Sequence, residues 1–260
     1  TNSLNEGLAI IVNVHHFDAF TSDPDARASE FEALWRQIGE HYKNYPNKLA
    51  FELLNEPKDA ATTEKMNAIY ARVIPVIRET NPDRTLFVAP GRWNSLDEVS
   101  KLRLPESDRN LIVTVHSYEP FLFTHQGATW TGSATETTGI VYPGPPKTPV
   151  TPKGDHPNTK WFQAYNTRGT DQNPCGPKAF AGRMEKVAEW AQQHHRPIHV
   201  GEFGAYRKAD QDSRARFYHD MRQTAERLGF GWAIWDWKAE FRYWDGSQPL
   251  PGMKEALFGK

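Results

Sequence analysis

The chain of 260 residues has one cysteine, Cys175, which excludes an internal disulfide framework. Its Pro/Gly-rich surroundings make Cys175 read as an incidental surface or loop thiol. No apolar run is long enough to span a bilayer, and no signal-peptide pattern opens the sequence. Charge of one sign is also missing. The formal net charge of −1 gives no reason to expect nucleic acid or an anionic membrane as a partner. No strand is followed by a Gly-rich phosphate fingerprint, which counts against a dinucleotide fold. A G-x-S-x-G elbow is lacking, which disfavours a Ser–His–Asp hydrolase. So are H-x-H and H-E-x-x-H spacings, which disfavours a metal centre. The adjacent pair His15 and His16, read as lying on one strand, would tend to point to opposite faces.

What is present is an alternation of short apolar runs with amphipathic segments. Six runs read as buried strands: Leu8–Val14, Leu49–Leu54, Thr85–Ala89, Leu111–Val115, Pro197–Gly201 and Phe230–Trp235. Helices are expected over Glu30–Tyr42, Thr63–Glu79 (with Pro75 inside), Phe180–His194 and Asp212–Leu228, and a weaker one over Ser95–Leu102. Repeated β-α-β units imply a parallel sheet. Polar residues stand at the carboxyl ends of several strands: His15 and His16, Asn55 and Glu56, His116 and Tyr118, Glu202, and Trp235. That is the rim on which TIM-type barrels build active sites. A closed barrel needs eight strands, so six predict an incomplete (β/α) barrel in one catalytic domain spanning 1–260. Residues 131–177 interrupt the rhythm. They hold eight of the nineteen prolines, show no helical or strand period, and read as a long loop over the same rim.

Two glutamates end apolar strands. Leu53-Leu54-Asn55-Glu56-Pro57 places Glu56 at the mouth of a buried run, where desolvation raises a carboxyl pKa and suits it to act as a general acid. Pro57 is expected to hold Glu56 in an extended conformation. The run His199-Val200-Gly201-Glu202-Phe203-Gly204 offers a second carboxylate, with glycines that permit close approach. Two carboxylates are the minimum set for glycoside hydrolysis. Asn55 could donate to a sugar 2-hydroxyl and Tyr118 to Glu202. His15, His16 and His116 could bond sugar hydroxyls or Glu202. Trp235 and Trp130 offer flat faces to a pyranose ring.

The set Val14-His15-His16, Leu54-Asn55-Glu56-Pro57, His116-Ser117-Tyr118, Gly201-Glu202-Phe203-Gly204 and Trp232-Ala233-Ile234-Trp235 resembles glycoside hydrolase family 5. The likeness is nearest to its bacterial endoglucanases, including thermophilic types that also act on mannan. It extends through residues 120–130 and 204–210 and covers nearly all of the chain outside 131–177. It implies a retaining endo-β-1,4-glucanase with Glu56 as acid/base and Glu202 as nucleophile. A β-glucan would be the substrate, with β-mannan or dual specificity as the alternative, and no cofactor or metal is implied. The resemblance also implies a secreted or periplasmic address. It makes the six strands the third to eighth of the eight-strand pattern, without counterparts for the first two or for the family's arginine near the nucleophile. Weaker turnover, a carbohydrate-binding remnant and self-association through an open barrel edge are the corresponding expectations.

Overall fold

A computed structural model describes residues 2–153 and 158–259. It contains a six-stranded sheet in the order β1-β2-β3-β4-β5-β6, the incomplete TIM-type barrel expected from the sequence. The strands are β1 (Ile10–Asn13), β2 (Leu49–Glu52), β3 (Leu86–Val88), β4 (Leu111–His116), β5 (Ile198–Glu202) and β6 (Gly231–Trp232). The first four pair in parallel, with Ile10 opposite Leu49, Phe51 opposite Leu86 and Leu86 opposite Leu111. β6 is much shorter than the apolar run Phe230–Trp235. Its backbone nevertheless stays bonded to the neighbouring segment, with Ala233 N–H donating to Val200 O and Trp235 N–H to Phe203 O, each at 2.9 Å.

Among the described residues, one compact unit takes in the chain up to His116 together with Val187–His199. The other takes in Ser117–Lys186 and the chain from Val200 onward. In the first unit, α1 (Pro24–Tyr42) begins a turn and a half earlier than its hydrophobic period suggests. The Asp23 carboxylate accepts from Ala26 N–H, and Pro24 occupies the first turn, where no donor is needed. Its buried stripe includes Phe31 and Trp35, and the Trp35 indole N–H donates to Leu53 O at 3.1 Å. α2 (Thr63–Arg78) is capped by Thr62, continues through Pro75 and buries Met66, Ile69, Tyr70, Val73, Ile74 and Ile77. Arg84 is 3% exposed and donates to the carbonyls of Tyr42, Tyr45, Pro46 and Leu49, so its buried charge is solvated by backbone.

The second unit overturns the reading of 131–177 as a segment without helix. α3 (Thr159–Thr167) lies inside it and buries Phe162 and Tyr165, with Trp161 stacked on Tyr165. One short helix carries too few apolar repeats to stand out among eight prolines. Two further helices follow in the chain, α4 (Lys178–His194), whose residues from Val187 on belong to the first unit, and α5 (Gln211–Arg227). The segment is tied down at Tyr142, which is fully buried; its N–H donates to Ser213 Oγ, and its hydroxyl donates to Asp220 Oδ2 at 2.9 Å. Cys175 is buried too, not a surface thiol. Its N–H donates to Asn173 Oδ1, its carbonyl accepts from Gly144 N–H, and burial pushes its pKa well up, away from a reactive thiolate. A last helix, α6 (Met253–Phe258), was not foreseen from the sequence.

Candidate active-site groups

Glu56 follows β2 and anchors a group in the first unit. Its Oε1 is 2.8 Å from His116 Nδ1, and the His116 side chain is 3% exposed against 28% for that of Glu56. Toward an ionised carboxylate only an Nδ1–H can serve, so the imidazole donates. Burial pushes the Glu56 carboxyl up. The His116 hydrogen bond and the charges of His116, His15 and Lys58 outweigh that, and the carboxyl is held below its ordinary value. This corrects the expectation of a raised pKa, which counted desolvation and omitted the histidine. The partner of His116 Nδ1 is Glu56.

The backbone at Glu56 is a second correction. Its φ is +47°, in the left-handed region and not extended. The Glu56 N–H donates to Asn94 Oδ1 at 3.0 Å, so a contact from a distant loop overrides the local preference that Pro57 imposes. Asn55 is 6% exposed, and its N–H donates to Val14 O. His15 and His16 lie beyond the end of β1, so strand alternation does not apply. Their rings stand edge to face with centroids 4.5 Å apart. Burial lowers the His15 pKa, His16 adds to the lowering, and Glu56 opposes it.

Glu202 ends β5 and anchors a group in the second unit. The Tyr118 hydroxyl donates to its Oε2 at 2.8 Å, as expected. Tyr118 is itself placed by Thr124, whose hydroxyl donates to Tyr118 O at 2.6 Å, and its ring packs edge to face on His125 and Phe241. Gly204 is a required glycine: a Cβ there would lie 2.1 Å from Trp235 O. Trp235 and Tyr118 pack against a buried cluster of Ala128, Tyr206 and Phe241, and the Trp235–Asp236 peptide is cis. Trp130 is 55% exposed and stands edge-on to Tyr206 at 5.0 Å. Phe241 and Asn94 had no sequence signal. Neither lies beside a strand-end motif, and only folding brings them to Tyr118 and Glu56.

The architecture and the strand-end glutamates define a barrel of the glycosidase kind. The chain belongs to the cellulase family, glycosyl hydrolase family 5, whose pattern it matches over residues 1–241. It is 29% identical over 234 residues to endoglucanase H of Acetivibrio thermocellus, covering 90% of this chain but only 21% of that protein. A hyperthermophilic endo-β-1,4-glucanase solved in complex with substrate superposes with a TM-score of 0.82 at 33% identity, over 99% of this chain and 74% of the other. Cel5A of Thermotoga maritima, solved in complex with mannotriose, gives 0.79 at 31% identity, over 98% of this chain and 74% of that one.

Proposed function

We propose that the chain is a retaining endo-β-1,4-glucanase acting on cellulose or a related β-glucan. Glu202 attacks the anomeric carbon while Glu56 protonates the leaving glycosidic oxygen. Glu56 then takes a proton from water as that water displaces Glu202 from the sugar. The observation that carries this reading is that each strand-end glutamate has its own hydrogen-bond donor. The Tyr118 hydroxyl on Glu202 favours the ionised form a nucleophile needs. His116 stands beside the carboxyl that must exchange a proton, where it can steady Glu56 in the ionised form that receives one from water. Asn55, His15 and His16 accompany Glu56 as sugar-binding groups, and Trp235 and Trp130, both on the side of Phe241, supply ring faces. A secreted or periplasmic address accompanies this proposal, because the substrate is an insoluble polymer outside the cell.

A retaining mechanism requires the two carboxyl groups to work about 5–5.5 Å apart. The test is reducing-sugar release from soluble cellulose and from mannan by the wild type, Glu56→Gln and Glu202→Gln. Both variants are expected to lose activity by a factor of at least about 10³, with the β-anomer formed first by the wild type. Undiminished hydrolysis by Glu202→Gln would sink the mechanism. Mannan enters the panel because a structural relative was solved with mannotriose.

A further inference from the structure

After β3 the chain makes a turn that L-residues avoid. Arg92, Trp93 and Asn94 are consecutive and all left-handed, with φ of 53°, 58° and 55°. None is a glycine, and such runs are rare because Cβ crowds the following carbonyl. Strain of this kind persists only where surrounding contacts enforce it, and it concentrates at functional sites.

The contacts that enforce it converge on the Glu56–His116 pair. Trp93 N–H donates to Pro57 O at 3.0 Å, immediately after Glu56. Asn94 Oδ1 accepts the Glu56 N–H. Ser95, the next residue, forms an isolated parallel bridge with His116. The root of the turn is fixed as well. Gly91 N–H donates to Thr63 Oγ1 at 3.0 Å, and a Cβ at Gly91 would lie 2.7 Å from Thr63 N. Asn94 is fully buried, yet its Nδ2 has no hydrogen-bond partner. A side chain chosen only for stability would not leave that donor orphaned.

We infer that the left-handed turn Arg92–Asn94 is a positioning device for the acid/base carboxyl, with Asn94 as the positioning residue that holds the Glu56 backbone in register with His116. The inference rests on the proposed role of Glu56. Asn94 touches no reacting atom. It acts by keeping Glu56 Oε1 within reach of His116 Nδ1, and the charged groups facing that carboxyl in this unit are His116, His15 and Lys58. With the turn intact, the hydrogen bond from His116 opposes the upward push of burial. With the pair loosened, burial remains and the opposition weakens.

Asn94→Gly separates positioning from strain. Glycine accepts the left-handed backbone without cost, so the fold is kept while the acceptor is removed. The primary readout is the Glu56 carboxyl titration followed by ¹³C NMR, which needs no turnover. Asn94→Gly is expected to move that titration upward in a chain that stays folded, with the relief of left-handed strain offsetting part of the lost hydrogen bond. His116→Ala moves the titration in the same direction, and the double variant titrates where His116→Ala alone does, because both changes act on one pair. Activity should show the same cause: the acidic limb of the kcat profile, where Glu56 must be ionised to take a proton from water, is expected to move upward while KM holds. An unchanged titration in Asn94→Gly, or shifts that add in full in the double variant, would overturn the inference. Full activity in Glu56→Gln would instead remove the catalytic reading and leave the titration result standing.

Discussion

Residue by residue, the chemistry depends on which polar groups accompany each buried charge. His199 shows this. It packs edge to face on Phe87, and burial together with the nearby His116 lowers its pKa to about 4. It therefore stays neutral in the folded chain over a range where the unfolded chain, near the ordinary value of about 6.5, binds a proton. Between these values the unfolded state holds more protons, so stability is full above the upper one and is lost as the pH falls toward the lower. The loss attributable to His199 is at most about 3 kcal/mol. Unfolding by urea measured from pH 7 down to pH 4 should show this slope, and His199→Gln should flatten it. An identical slope in the variant would refute the assignment.

At the scale of elements, what places the two glutamates is how strands end. β5 ends at Glu202 and the backbone turns at once, with Gly204 against the carbonyl of Trp235. Because the atom met at 2.1 Å is backbone, no side-chain rotation can relieve a Gly204→Ala substitution. The expected loss is about 1–3 kcal/mol, read as a lower urea midpoint with an unchanged m-value. A Gly204→Ala chain of wild-type stability would show that the approach is looser than the structure has it. The segment 131–177 also behaves as an element. With Tyr142 bonded to Ser213 and Asp220, and Asn173 donating to Tyr165 O and Arg168 O, most of it is anchored to α5 or to itself rather than free to swing. A run of prolines signals irregular backbone, but it does not signal whether that backbone is packed.

At the scale of the 260-residue chain, β1 is the end strand of the sheet among the described residues; Ile11 on it is 39% exposed, and Leu8 just before it is 58% exposed. A strand with unpaired backbone groups and exposed apolar side chains is a template for association. The 260-residue chain is expected to self-associate at micromolar concentration, measured by light scattering, and Ile11→Lys is expected to reduce the associated fraction. A monodisperse monomer for the wild type would reject this.

The sequence by itself determined the strand count, the parallel order, the four longest helices and the two glutamates at strand ends. These depend on local periodicity and on motif residues that sit next to the strands carrying them. Tertiary structure decided the rest, because it depends on groups far apart in the chain. Leu54-Asn55-Glu56-Pro57 announces a carboxylate in an apolar setting, yet the direction of its pKa is set by His116, sixty residues on. Its backbone is set by Asn94, and nothing in Gly91-Arg92-Trp93-Asn94 advertises a left-handed turn. Cys175 reads as exposed from its neighbours and is buried by Val141 and Asn173. Local composition reports what a segment can do alone. The charge state and orientation of a buried group are fixed by whichever side chains the fold brings within about 3 Å of it.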